Sequence, residues 1–555
     1  MATTLKRRTI PVDLDRVTFD GGFWGPRLER NRTVTIPAEY EMCRDTGRIQ
    51  ALERTWRQGE PNKPHIFWDS DVAKWIEAVA YSLQVKPDDE LRRRAERVVK
   101  LVVGAQEADG YLNSYFAVVE PDARWTNLRD QHELYCAGHL IEAAVAWHEA
   151  TGERDLLDAL CRYADHIGRI FGPGAEQKNG YPGHEEIELA LVKLYRATGE
   201  RRYLDLAAFF VDQRGTSPHY FRQEALARGE EPDRVRRPDD YWQAHLPVRR
   251  QTTAEGHAVR ALYLYCGMLD VAVETNDREL FNACKALWKS ITERRMYVTG
   301  AIGSERHDER FTFDYDLPNE TAYAETCANI ALVLFAHRLL QVEPHTRYAD
   351  VLEHTLYNSV ISGVSLDGTR FLYENWLAVV PEAHLYRQQG APRRVPWFDC
   401  ACCPPNLARL LAALGQYVYS QADDQVWVHL YAAGKATLDL GHTTVELVQE
   451  TAYPWKETVT LTLAPAAPSY FAVNLRIPGW CHGSTVRVNG EQTQPRMVKG
   501  YARLMREWRR GDRIELVLPM PIRRVMANPA VRQDVGRVAL QRGPVIYCLE
   551  EVDNG

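Results

Sequence analysis

The chain has 555 residues, 45% hydrophobic and 26% charged, enough for two to four domains at about 100–200 residues each. That balance excludes a mostly disordered chain, a fibrous one and a small disulfide-stapled one. A formal net charge of -7 gives no electrostatic reason to expect nucleic acid as a partner, and no apolar run nears the roughly 18 residues of a membrane span.

The N-terminus, M-A-T-T-L-K-R-R-T-I-P-V-D-L, lacks the apolar stretch of a secretory signal, so a cytoplasmic location is expected. Residues 1–20 read as an extended segment whose part 8–18 can join a later sheet as an edge strand. From there to about 420 the chain reads as helices. G-H-L-I-E-A-A-V-A-W from Gly138, G-H-E-E-I-E-L-A-L-V from Gly183 and G-H-A-V-R-A-L-Y-L-Y from Gly256 each start a nearly all-apolar helix. These end at Gly152, Gly199 and Asn276, residues that tolerate the left-handed cap conformation. An amphipathic helix follows each cap. Looser copies begin near Asp69, Glu325 and Cys403.

Helical hairpins must stack to bury their apolar faces, and a helix apolar all round belongs inside. Six such pairs closing on themselves make an (α/α)6 barrel over 21–420; an open superhelix is the alternative. His139, His184, His257, Glu325, Cys327, Cys402 and Cys403 are then expected at helix starts, facing one mouth. From about Gln425 the hydrophobic period becomes two, with turns such as Asn489-Gly490, which predicts an antiparallel β-sandwich over 421–525. Residues 526–555 read as the start of a further β domain, cut short.

Eleven cysteines in no regular framework are not staples in a reducing compartment. Cys400, Cys402 and Cys403 crowd into D-C-A-C-C-P-P-N, where the prolines impose a rigid turn before a helix. With Glu325 and Cys327 of Y-A-E-T-C the adjacent pair Cys402 and Cys403 can form a tetrahedral zinc site of three thiolates and a carboxylate. Inert buried thiols and a redox pair stand beside that reading. Cys43, Cys136, Cys161, Cys266, Cys284, Cys481 and Cys548 are isolated and read as core. The loop before Glu325 carries Glu305, Asp308, Glu309, Asp314, Asp316 and Glu320, either a solvated acidic loop or the source of a proton donor. Tyr315, Tyr323, Tyr373, Trp376 and Trp397 are core aromatics or a sugar-stacking wall.

Together, C-C-P-P-N at 402–406, E-T-C at 325–327, T-G-A-I-G-S at 299–304, E-R-F at 309–311, L-P-N at 317–319, Y-E-N-W at 373–376 and the three G-H starts resemble glycoside hydrolase family 127, the β-L-arabinofuranosidases. The likeness runs from G-G-F-W-G near Gly21 into the sandwich. It implies an (α/α)6 barrel followed by β-sandwich domains, and Zn2+ held by Glu325, Cys327, Cys402 and Cys403. It further implies Cys402 as nucleophile, Glu309 as general acid/base, and sugar hydroxyls bound by His139, His184, His257 and Tyr373. The implied activity is retaining release of L-arabinofuranose from β-L-arabinofuranosides, with a small oligosaccharide or glycoside as substrate. Here H-D precedes Glu309 where the family more often has a glycine-containing turn.

Within the same family the substrate can instead be another sugar, acidic or branched. A carboxylate-pair hydrolase or lyase with a structural zinc, a histidine-driven sugar epimerase and a glycan-binding scaffold are the competing functions. The sandwich could support a homodimer, though its pattern does not specify one.

Overall fold

Burial separates the helices into two classes. In the helix Trp68–Val85 every residue from 69 to 82 is buried, and in Glu133–Thr151 every residue from 133 to 147 is. Their partners are one-sided. The helix Asp89–Gly104 buries only Leu91, Ala95, Val98, Val99 and Val102, a single stripe at helical spacing. The computed structural model describes residues 4–231, 237–386 and 392–555.

The apolar helices touch in cyclic order. Trp68–Val85 packs on Glu133–Thr151, then come Ile187–Thr198, Ala258–Thr275, Thr326–Val342 and Cys403–Ala412, which packs back on Trp68–Val85. Gly152, Gly199 and Asn276 cap three of them with φ of 75°, 76° and 57°, as the sequence predicts. The one-sided helices Asp155–Ile170, Arg201–Gln213 and Arg278–Arg294 follow those caps.

The G-H recurrence is not a repeated helix start. The first of these helices begins at Glu133, so Gly138 and His139 lie inside it, whereas His184 precedes its helix and His257 is an N-cap. Gly138 answers to packing: a Cβ there would meet the Glu186 side chain at 2.6 Å.

Among the described residues the β portion is two large sheets and a small third. One has six strands in the order Ile10–Pro11, Tyr419–Ala422, Gln425–Val428, Ser469–Arg476, Tyr501–Trp508, Arg496–Val498. The other has seven, from Glu491–Thr493 at one edge to Val17–Phe19 at the other. The pairing is antiparallel except between Gln425–Val428 and Ser469–Arg476, which run parallel, a correction to the expected antiparallel sandwich. The N-terminal segment supplies two short strands rather than one: Ile10–Pro11 pairs with Tyr419–Ala422, and Val17–Phe19 with Gly434–Asp439. Three strands, Arg523–Val525, Ala539–Arg542 and Val545–Tyr547, form the last sheet.

Buried Arg476 locks the β portion to the helices through ion pairs with Asp350 and Glu353 of the Thr346–Thr355 helix. Among the described residues no helix is long and apolar enough to cross a membrane.

Candidate active site

Two helix N-termini bring the cysteines and the carboxylate together. Glu325 is the N-cap of Thr326–Val342, with Cys327 in its first turn. Cys402 is the N-cap of Cys403–Ala412, with Pro404 in that helix's first turn, where a missing N–H costs nothing. Both dipoles present their positive ends to the acidic side chains. Glu325 Oε1 lies 3.6 Å from Cys402 Sγ and 3.7 Å from Cys403 Sγ, and Cys327 Sγ is 3.5 Å from Cys403 Sγ. The four ligand atoms all lie within 4.8 Å of one another. Glu325, Cys327 and Cys403 are buried; Cys402 is half-buried.

Burial of this cluster disfavours unpaired negative charge on it. Burial pushes the Glu325 carboxyl well up, and the neighbouring Cys402, Glu309 and Cys400 add to it. Burial also pushes the Cys403 thiol well up. For Cys327, burial raises the thiol, but hydrogen bonds with Cys402 and Cys403 outweigh it and hold the group at about 6. Glu325 Oε2 is buried without a hydrogen-bond partner, which leaves a costly orphan acceptor. Three sulfurs and a carboxylate so arranged fit a metal ion.

Glu309 shares a second cluster with Glu325: His257, Glu309 and Glu325 also offer ligand atoms within 4.8 Å of one another. His257 Nε2 lies 2.5 Å from Glu309 Oε2. Burial raises the Glu309 carboxyl, but His257, Tyr323 and Arg260 outweigh that and hold it at about 2. The other acids of the loop have structural partners. Asp308 pairs with Arg237, Asp314 with Arg294 and Arg295, and Asp316 accepts from Gln533.

The remaining expected residues fall at different depths. The Tyr373 hydroxyl is 3.1 Å from Cys402 Sγ and 3.7 Å from Cys400 Sγ, so it faces the sulfurs. His184 lies between His132 and His257, with ring centroids 5.6 and 5.7 Å away. His139 is buried beneath them, 3.2 Å from Glu186 and in edge contact with Tyr135. Glu142 beside it is already paired with Arg409 and Lys193, so cations of the chain itself close that cluster.

Several contributors carry no sequence signal. Arg48, buried, donates to the Asp399 carbonyl at 2.6 Å and pairs with Asp71 at 2.8 Å, anchoring the segment that leads into Cys402. His132 has no recognisable motif around it. Of the cysteines read as core, Cys161 is only half-buried and Cys548 is exposed, just after the strand Val545–Tyr547. The others are buried.

Comparison with known proteins agrees with this constellation. Residues 16–416 match the family described as "Beta-L-arabinofuranosidase, GH127 catalytic domain", 425–520 the GH127 middle domain, and 522–555 the glycoside hydrolase family 127 C-terminal domain. A non-reducing end β-L-arabinofuranosidase of Bifidobacterium longum subsp. longum is 43% identical over 506 residues, 88% of this chain and 76% of that protein. The crystal structure of a GH127 β-L-arabinofuranosidase from Geobacillus stearothermophilus T6 superposes with a TM-score of 0.94 at 50% identity, covering 97% of this chain and 87% of that one. A further GH127 β-arabinofuranosidase structure gives 0.91 at 40% identity, covering 99% of this chain and 87% of its own. The chain is a glycoside hydrolase and belongs to glycoside hydrolase family 127.

Proposed function

We propose that this enzyme releases L-arabinofuranose from the non-reducing end of β-L-arabinofuranosides, with retention, using Cys402 as nucleophile and Glu309 as acid/base. The observation that carries it is the meeting of Glu325, Cys327, Cys402 and Cys403, with Glu309 held against the same Glu325. The relatives named above support the sugar. The cyclic contacts of the six apolar helices support an (α/α)6 barrel. The last sheet takes in Arg523–Val525, so we set the start of the final β unit before Arg523 rather than at 526.

The thiolate-rich donor set suits zinc over magnesium or calcium. Bound by Glu325, Cys327, Cys402 and Cys403, zinc would keep the Cys402 sulfur ionised at neutral pH. Cys402 Sγ then attacks the anomeric carbon as the glycosidic C–O bond breaks. Glu309 gives its proton to the departing oxygen. In the free site His257 helps hold Glu309 ionised, so Glu309 takes that proton from solvent when the bound sugar displaces His257 from Oε2. Water, deprotonated by Glu309, next attacks the same carbon and the C–S bond breaks. Two inversions give net retention. We assign the sugar hydroxyls to His139, His184, His257 and Tyr373; the Tyr373 hydroxyl beside Cys402 Sγ and the contact of His184 with His257 support this.

The test is hydrolysis of aryl pentofuranosides of both anomers and both enantiomeric series. Turnover confined to the β-L-arabinofuranoside, with the β-sugar as first product by NMR, is expected. Preference for another sugar, or α-sugar as first product, overturns the reading.

A further inference from the structure

Ala324 has φ of 44°, a left-handed conformation that a residue with a Cβ adopts only under restraint. It directly precedes Glu325, and it is fully buried. Its peptide is gripped from several sides. Ala324 N–H donates to the Gly303 carbonyl at 2.7 Å. Its own carbonyl accepts from the Asn375 amide at 2.9 Å and, more weakly, from the Asn329 amide at 3.3 Å. Asn375 also donates to Thr326 Oγ1 at 3.0 Å, on the far side of Glu325. Its backbone N–H donates to the Tyr323 carbonyl at 3.1 Å. One buried amide side chain thus spans both residues flanking Glu325. It touches none of the reacting groups.

We propose that Asn375 is a positioning residue: it holds the left-handed turn at Ala324 so that the Glu325 carboxylate meets Cys402 and Cys403 together. Backbone strain of this kind persists only where surrounding groups over-determine it. Without the Asn375 donor the Ala324 carbonyl keeps only the longer Asn329 bond. The turn then relaxes toward negative φ and swings Glu325 away from the sulfurs. Glycine at 324 adopts positive φ freely, so it would make the Asn375 grip largely dispensable. This rests on the metal reading above.

The experiment is a four-member cycle: parent, Asn375→Ala, Ala324→Gly and the double variant. Zinc affinity by chelator competition, kcat, KM and Tm are read for each. Asn375→Ala is expected to weaken zinc binding by about 10–100-fold, the usual effect of losing a group that orients a ligand. It should lower kcat more than it raises KM. In the Ala324→Gly background the same substitution should cost less than about a third of that loss on a logarithmic scale. Should Asn375→Ala not fold, Asn375→Leu takes its place, because it keeps the approximate shape and removes the donor without adding a charge. Unchanged zinc affinity and kcat in the asparagine variant overturn the proposal. So does an equal loss in both backgrounds, which would place the action of Asn375 elsewhere. If the parent itself retains no zinc, the metal reading fails, and the kcat cycle alone decides the role of Asn375.

Discussion

The Tyr373 hydroxyl sits 3.1 Å from the Cys402 sulfur, close enough to hydrogen-bond the thiolate when the C–S bond breaks. A hydrogen bond to a charged group contributes about 1.5–3 kcal/mol. Tyr373→Phe should therefore lower kcat by roughly 10–100-fold while zinc stays bound. Pre-steady-state kinetics should show the sugar–enzyme adduct accumulating. A kcat equal to the parent's would mean that the hydroxyl does not serve the sulfur.

Cys402→Ser places a weakly acidic hydroxyl where a thiolate is needed. Turnover should fall by about 1,000-fold or more, some 4 kcal/mol in the barrier. Mass spectrometry of the parent mixed with an activated fluoroglycoside should show one pentosyl added at Cys402. Near-parental hydrolysis by zinc-loaded serine variant would instead favour a two-carboxylate hydrolase.

Removing the metal should stop the reaction. A zinc chelator is expected to abolish activity and lower Tm, since the folded state then loses the free energy of metal binding at Glu325 and the three sulfurs. Zinc should restore both; magnesium should restore neither. Full activity in metal-free protein with reduced cysteines would exclude the mechanism.

Deep under the site, Arg409 bridges Glu77 at 2.6 Å and Glu142 at 2.7 Å, and Lys193 joins the same two acids at 3.1 and 3.4 Å. These groups come from four of the six apolar helices. Arg409→Met leaves two buried carboxylates without their main partner and should destabilise the fold by about 3–5 kcal/mol. Adding Glu77→Gln and Glu142→Gln should recover part of that in urea denaturation. No recovery would show that the arginine acts by packing alone.

Burial, with help from Arg338, holds His337 at about 3, against about 6.5 in an unfolded chain. The folded state is the one that resists protonation. Stability is therefore intact above about pH 6.5 and falls as the pH drops toward 3, by up to about 1.4 kcal/mol per pH unit. His337→Leu should flatten this part of the stability profile, read as urea midpoints at pH 7 and pH 5. Parallel profiles for variant and parent would place the acid sensitivity in other groups, such as His132, also held at about 3 by burial.

Local chemistry was legible where one residue carries it. Gly152, Gly199 and Asn276 announce helix ends because few residues tolerate positive φ, and the alternating runs after Gln425 announce strands because their period is two. The apolar character of 69–82 and 133–147 already says that these helices are inner ones. The metal cluster emerged from the motif combination rather than from spacing, since Glu325 and Cys402 lie 77 residues apart.

What the tertiary structure alone decided is which groups meet. The start of the helix at Glu133 was hidden because E-L-Y-C-A before Gly138 has no break, so His139 lay deeper than its G-H motif suggests. Arg48 and Arg409 look like ordinary polar residues and Asn375 is marked only as part of Y-E-N-W, and their roles depend on carbonyls and carboxylates distant in sequence. Periodicity reports only which side of an element is dry. Long-range hydrogen bonds and ion pairs depend on how those dry sides stack, and that is a property of the whole packed chain.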